Sequence, residues 1–351
     1  MKKFLFLAIA ATAMTSCSQD EVLEVAQKQA ISFGEAFVGN ATRAIDPSYG
    51  TSKKIEKFTA YGNLTHNNEF VKLYGGNGVE ATGSTYGEAY TTTDTEYWTP
   101  GVTYNFVAVV NNSSIKLDKT TGLPTEIGFT HSDNGNVDLL YTKTGNEVKT
   151  NESATPTTGV NDKGIVNFTF NHLLAKLQFN FINESKDSRN IFKVKSIQIS
   201  GLPTSGTYTV VDEGWADTGT TGTANFGDAS DATTTTATAV DIMTTNTTGI
   251  SSDQARLVIP NDNALTITFV KELYYDTNGN NKADDTELIY TDEKTTAKKT
   301  TITLTGQTFA ANGNYVLTAK LGAETNKPIQ FTVDKLNKWD DETIVTIAPA
   351  N

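Results

Sequence analysis

The stretch Thr103-Tyr104-Asn105-Phe106-Val107-Ala108-Val109-Val110 decides the fold class. Its apolar residues follow the period of two that a β-strand requires, and aromatic and β-branched side chains suit a pleated surface. Pro100-Gly101 and Asn111-Asn112 bound it with turn-forming residues. The same rhythm recurs along the chain. It appears at 57–61, 164–170, 177–182, 194–199, 265–270, 301–304, 314–319 and 343–347, each run set off by Gly, Asn, Asp or Pro. Threonine is abundant and no stretch carries leucine at helical spacing, so the strands are polar on one face. The fold class is all-β, a sandwich or a barrel.

The 351 residues exceed what one hydrophobic core usually serves, and two domains are expected. The polar segment Asn183-Glu184-Ser185-Lys186-Asp187-Ser188-Arg189-Asn190 is read as their junction, giving sandwiches over 44–186 and 187–351. Residues 145–163 and the Thr-rich 217–249 are read as long exposed loops. No repeat of solenoid length is evident.

The N-terminus is read as an export signal over 1–16. Lys2 and Lys3 precede a short apolar region, which closes at Thr15-Ser16-Cys17. That region is too short to span a bilayer as a helix. Cys17 is the one cysteine, so it fits a lipid attachment site and excludes an intrachain disulfide or a thiolate zinc site. Asp20 and Glu21 resemble the surface-export signal of Bacteroidetes lipoproteins. Residues 17–43 then form a lipidated propeptide carrying one alternating strand, 31–38. It ends at Thr42-Arg43-Ala44, where a trypsin-like protease can enter. A net charge of −12 removes nucleic acid from the expected partners, because phosphate binding needs a basic face.

Catalytic patterns are not evident. His66, His131 and His172 do not share a metal-binding spacing, and His172 reads as a packed histidine at a strand bend. There is no nucleophile elbow or phosphate loop. The acidic pairs Asp284-Asp285 and Asp340-Asp341 define no catalytic distance. The chain reads as a non-enzyme with no resident cofactor. One loop has a calcium-like spacing: Asp276, Asn278, Asn280, Asp284 and Glu287 stand at positions 1, 3, 5, 9 and 12. Asn281 takes the place of the expected glycine, a position that asparagine tolerates. The loop is either a Ca²⁺ site or a polar hairpin loop without an ion.

Several motifs in order carry a resemblance. They are the Cys17 lipobox, Ala41-Thr42-Arg43-Ala44, Tyr97-Trp98-Thr99-Pro100 with Tyr104-Asn105-Phe106-Val107-Ala108, and Asp138-Leu139-Leu140-Tyr141. Then come Phe168-Thr169-Phe170-Asn171-His172-Leu173-Leu174-Ala175-Lys176-Leu177, Leu257-Val258-Ile259-Pro260, and Trp339 before the last strand. Together they resemble the fimbrillins, the type V pilins of Bacteroidia. The resemblance implies two transthyretin-like β-sandwich domains in tandem. It also implies an outer-membrane lipoprotein precursor that becomes a cell-surface fimbria. An arginine-specific protease would cut after Arg43 and remove the strand bearing Ile31, Phe33, Phe37 and Val38. A C-terminal strand from about Ile329 to Ile347, including Ile344, Val345 and Ile347, would fill the opened groove of the next subunit. The partners implied are other pilin subunits in a head-to-tail homopolymer, the protease, the outer membrane through lipid before the cut, and a surface ligand of host or bacterial origin. A shaft subunit fits best. The alternatives are a tip or anchor subunit, or an uncut surface lipoprotein that binds carbohydrate or protein through Tyr74, Tyr86, Tyr90, Tyr97 and Trp215; the competing role for these aromatics is to fill the sandwiches.

Overall fold

The computed structural model describes residues 29–38, 55–83, 89–131, 137–142, 146–161, 163–216, 219–226, 240–242, 248–249, 255–292, 299–322, 329 and 331–336. Among the described residues there is no α-helix, and the chain is built of strands. The all-β expectation holds.

Nine strands make the first sheet: β1 (Ser32–Val38), β2 (Lys57–His66), β3 (Glu69–Lys72), β4 (Val79–Thr82), β5 (Thr91–Thr92), β6 (Thr103–Val110), β9 (Leu140–Tyr141), β10 (Asn146–Lys149) and β11 (Ile165–His172). Its main path runs β1-β11-β9-β6-β2-β4-β5. A four-stranded sheet joins β7 (Ser114–Leu117) and β8 (Pro124–Thr130) to β14 (Ser205–Thr209) and β15 (Gly214–Ala216). A five-stranded sheet holds β12 (Ala175–Asn183), β18 (Thr248–Gly249), β19 (Arg256–Val258), β23 (Asn314–Leu321) and β24 (Phe331–Leu336). The remaining six strands pair together: β13 (Asn190–Pro203), β16 (Thr221–Phe226), β17 (Val240–Ile242), β20 (Leu265–Tyr275), β21 (Leu288–Thr291) and β22 (Thr300–Leu304).

Three large cores follow from these sheets, beside a small cluster of Ile191, Tyr274 and Ala283. The nine-stranded sheet curls around one core, in which Phe33 of β1 meets Phe58, Phe106 and Phe168. The five- and six-stranded sheets face each other over another, with Leu177, Phe179 and Leu317 against Val194, Ile267 and Phe269. Between these halves lies a third cluster, where Tyr61, Val107 and Val109 meet Ile127, Phe129 and Tyr208 of the four-stranded sheet. Strand β6 explains why its sequence is so apolar. Tyr104, Phe106, Ala108 and Val110 point into the first core while Val107 and Val109 point into the third. Burial on both faces replaces simple alternation with a nearly continuous apolar run.

Three expectations change. The polar segment at 183–190 is a turn joining β12 to β13, and both strands feed the second core. The changeover between cores lies instead at His172–Ala175, where Leu173 and Leu174 belong to the third cluster. The Thr-rich region is not wholly loop, since 221–226, 240–242 and 248–249 pair as strands. Low complexity hid Phe226, which is buried in the second core. Likewise 146–149 pairs with β6.

Candidate strand-exchange groove

Strand β1 lies in a slot with backbone partners on both sides. On one side it pairs in parallel with β11, with Ser32 opposite Ile165, Phe33 opposite Val166 and Val38 opposite Phe170. An irregularity falls between Phe33 and Ala36. On the other side the segment 90–98 closes against it. Ile31 N donates to Glu96 O at 2.8 Å, Tyr90 N to Phe33 O at 2.8 Å, and Trp98 N to Gln29 O at 3.1 Å. A strand so held is bonded more fully than an ordinary sheet edge.

Three described side chains of this segment enter the core: Ile31, Phe33 and Ala36 are all buried, with Phe33 0% exposed. The Phe33 ring lies 5.4 Å from Phe168, 5.7 Å from Phe106, 6.2 Å from Phe58 and 6.3 Å from Tyr74, centroid to centroid. Val38 is partly buried against the same core. Burying Ile31 and Phe33 contributes about 1.5–3 kcal/mol each. Gly34 sits where no side chain fits, for a Cβ there would lie 2.6 Å from both Asn167 Oδ1 and Ile165 Cγ2.

The slot's far wall is shaped by Tyr74, whose backbone is left-handed (φ 51°) and whose N–H donates to Glu96 Oε1 at 3.1 Å. Burial, with Glu96 and Asp94 nearby, pushes its phenol well above the ordinary range. Tyr90 is also buried, and its hydroxyl donates to Ile55 O. Sequence reasoning identified Tyr97-Trp98-Thr99-Pro100 as a motif but not as the groove's second wall. The available signal was Trp98 itself, now seen buried 4.9 Å from the Tyr104 ring.

Cys17, Arg43, Ala44, Ile344, Val345 and Ile347 lie outside the described residues. The early part of the expected donor segment is described, and it is placed within the chain's own fold. Residues 331–336 form β24, antiparallel to β23, and Phe331 packs 5.7 Å from Phe179 and 6.2 Å from Phe269. Of the aromatics considered for ligand binding, Tyr74 and Tyr90 fill the first core. Trp215 packs on the third cluster and donates Nε1–H to Leu173 O at 2.8 Å. Tyr97 is exposed, and Tyr86 lies outside the described residues.

The loop at 276–287 is closed by its own hydrogen bonds. Asp276 Oδ1 accepts from Gly279 N and Asn280 N, and its Oδ2 from Asn281 N. Asp284 Oδ2 accepts from the Asn278 and Asn280 amides, and these donors hold its carboxyl below the ordinary range. Glu287 Oε1 accepts from Thr277 N, Thr277 Oγ1 and Asn278 N. Asn281 adopts the left-handed conformation expected of its position, φ 57°. Among the described residues no three His, Cys, Asp or Glu side chains are grouped to hold a metal ion. His172 ends β11 fully buried and paired through Nδ1 with Asp138 Oδ2. His131 is half-buried beside Phe129, and desolvation lowers its pKa to about 4.

Fold and slot together define an all-β protein whose N-terminal strand completes its first core. The chain belongs to the fimbrillin-like family, whose sequence profile matches residues 42–339. Membership implies a cell-surface location and assembly with other fimbrial subunits. A fimbrial protein from Bacteroides vulgatus has a similar solved structure, with TM-score 0.56 and 16% identity over 87% of this chain and 99% of that one. The tip fimbrial protein Mfa3 from Porphyromonas gingivalis, solved with a C-terminal truncation, gives TM-score 0.40 and 10% identity over 88% and 99%. No curated protein sequence matches the chain.

Proposed function

We infer that this chain is a structural shaft subunit of a fimbria, exported as a lipoprotein through Cys17 and activated by a cut after Arg43. The observation that carries this reading is the position of β1. It supplies Phe33 to the centre of a core, yet Arg43 lies between it and the rest of that core in sequence. A cut there leaves β1 held only by noncovalent contacts. Its loss exposes Phe58, Phe106 and Phe168 together with unpaired backbone on β11 and on 90–98. Such a slot templates strand addition. The donor is then the segment beyond Leu336, including Ile344, Val345 and Ile347, because β24 is engaged within its own subunit. The slot opens on the first core while the donor segment follows β24 of the second in sequence, so the contact is head-to-tail and extends as a fibre.

A tip subunit needs no donor and an anchor keeps its lipid, which sets the shaft reading apart from both. The test is treatment of the purified precursor with an arginine-specific protease. A new terminus at Ala44 and denaturant-resistant ladders are expected, with neither in Arg43→Ala. Ladders from uncut Arg43→Ala would remove the reading. The loop at 276–287 serves as a hairpin closed by its own bonds; heat of binding on calorimetric titration with millimolar Ca²⁺ would reassign it as an ion site.

A further inference from the structure

The outer face of the five-stranded sheet buries ionisable and amide side chains that strand exchange does not use. Lys176 on β12, Asn314 on β23 and Asp334 on β24 are 4%, 1% and 2% exposed. Their strands are neighbours in the order β12-β23-β24. β12 and β23 run parallel with Lys176 directly opposite Asn314. In the β23–β24 register, Asp334 stands opposite Val316, diagonal to Asn314. Leu177, Phe179, Tyr315 and Leu317 point into the second core, so alternation turns Lys176 and Asn314 together to the other face. Val333 packs against that core as well, which turns Asp334 the same way. Neighbouring strands lie about 4.8 Å apart, a gap well within the reach of a lysine stem. The Asn314 amide is already oriented, for Gln178 Nε2 donates to its Oδ1 at 2.8 Å.

We propose that Lys176 and Asn314 are joined by an intramolecular isopeptide bond, formed with Asp334 as proton relay. Lysine and aspartate are almost never buried this deeply without a specific role or partner. The step uses Lys176 as an amine and Asp334 as a carboxylic acid, two forms related by the transfer of one proton between them. The amine lone pair of Lys176 Nζ then attacks Asn314 Cγ while Asp334 protonates the amide oxygen. The Gln178 donor stabilises the charge that develops there. The tetrahedral intermediate collapses as the Cγ–Nδ2 bond breaks. Nδ2 leaves as ammonia, taking the proton lost by Nζ, and the proton on the oxygen returns to Asp334. Amine plus carboxamide give a secondary amide plus ammonia, with no oxidant, reductant or water consumed. The bond ties the first strand of the second core to a strand near its end. Tension along a head-to-tail fibre would then pass through a covalent link, although the link itself does not depend on strand exchange.

Peptide mapping and intact mass spectrometry of the purified full-length chain test this directly. The wild type should weigh about 17 Da less than its processed sequence, the mass of ammonia, with one cross-linked peptide containing Lys176 and Asn314. Lys176→Arg and Asp334→Asn should each show the full mass and no such peptide. The wild-type measurement stands even where a variant fails to fold. A wild-type chain of full mass overturns the proposal. So does a deficit that maps to succinimide at an Asn-Gly pair such as Asn312-Gly313.

Discussion

Phe33 concentrates the account at one side chain. Truncating a fully buried phenylalanine costs about 3–5 kcal/mol, so Phe33→Ala should lower the urea midpoint of the uncut precursor markedly. On the proposed function β1 is discarded on activation, so fibres assembled from that variant should be as stable as wild-type fibres. Equal loss in precursor and fibre would show that Phe33 stays in place. His131 gives a second test, on acid stability. Its folded pKa of about 4 lies below the ordinary 6.5. Between those values the unfolded chain binds a proton that the folded chain does not. The contribution is therefore complete above pH 6.5, falls as pH drops from 6.5 to 4, and is fully lost below that. His131→Gln should flatten the denaturation midpoint against pH in that window relative to wild type; an unchanged slope would contradict the burial argument.

At the scale of the element, β1 is defined by what it cannot hold as much as by what it buries. Gly34 faces Asn167 and Ile165 too closely for a Cβ. Gly34→Val should loosen β1 and speed hydrogen exchange at the amides of β1, leaving β20 and β23 protected; uniform change throughout would place the effect elsewhere. Much of this was legible in sequence. The period-two runs at 103–110, 265–270 and 314–319 became strands because alternation and β-branched content report directly on a pleated surface. The strand at 31–38 was legible for the same reason. Its partners were not, because parallel pairing with 165–172 and closure by 90–98 join segments far apart in the chain. The changeover between cores is hidden in the sequence for a related reason. A polar turn such as 183–190 looks the same within one sandwich as between two, and only Leu173-Leu174 at the shared cluster marks the changeover.

At the scale of the whole molecule, the two halves carry complementary roles. The first core depends on a strand that precedes Arg43, and the last described strand, β24, is already committed to the second core. Losing β1 removes burial worth a substantial part of a typical domain's stability, about 5–15 kcal/mol. On the proposed function, intermolecular replacement would restore both the burial and the backbone pairing, and polymer would be favoured once the cut is made. The four-stranded sheet, drawn from both halves, packs over the first sheet and ties them together around the third cluster. The most direct test is size-exclusion chromatography with light scattering on two cleaved chains, one ending at Asn351 and one ending at Leu336. The account predicts denaturant-resistant oligomers from the first, and from the second a clean cut at Arg43 with monomer only. Equal polymerisation of the two would contradict it.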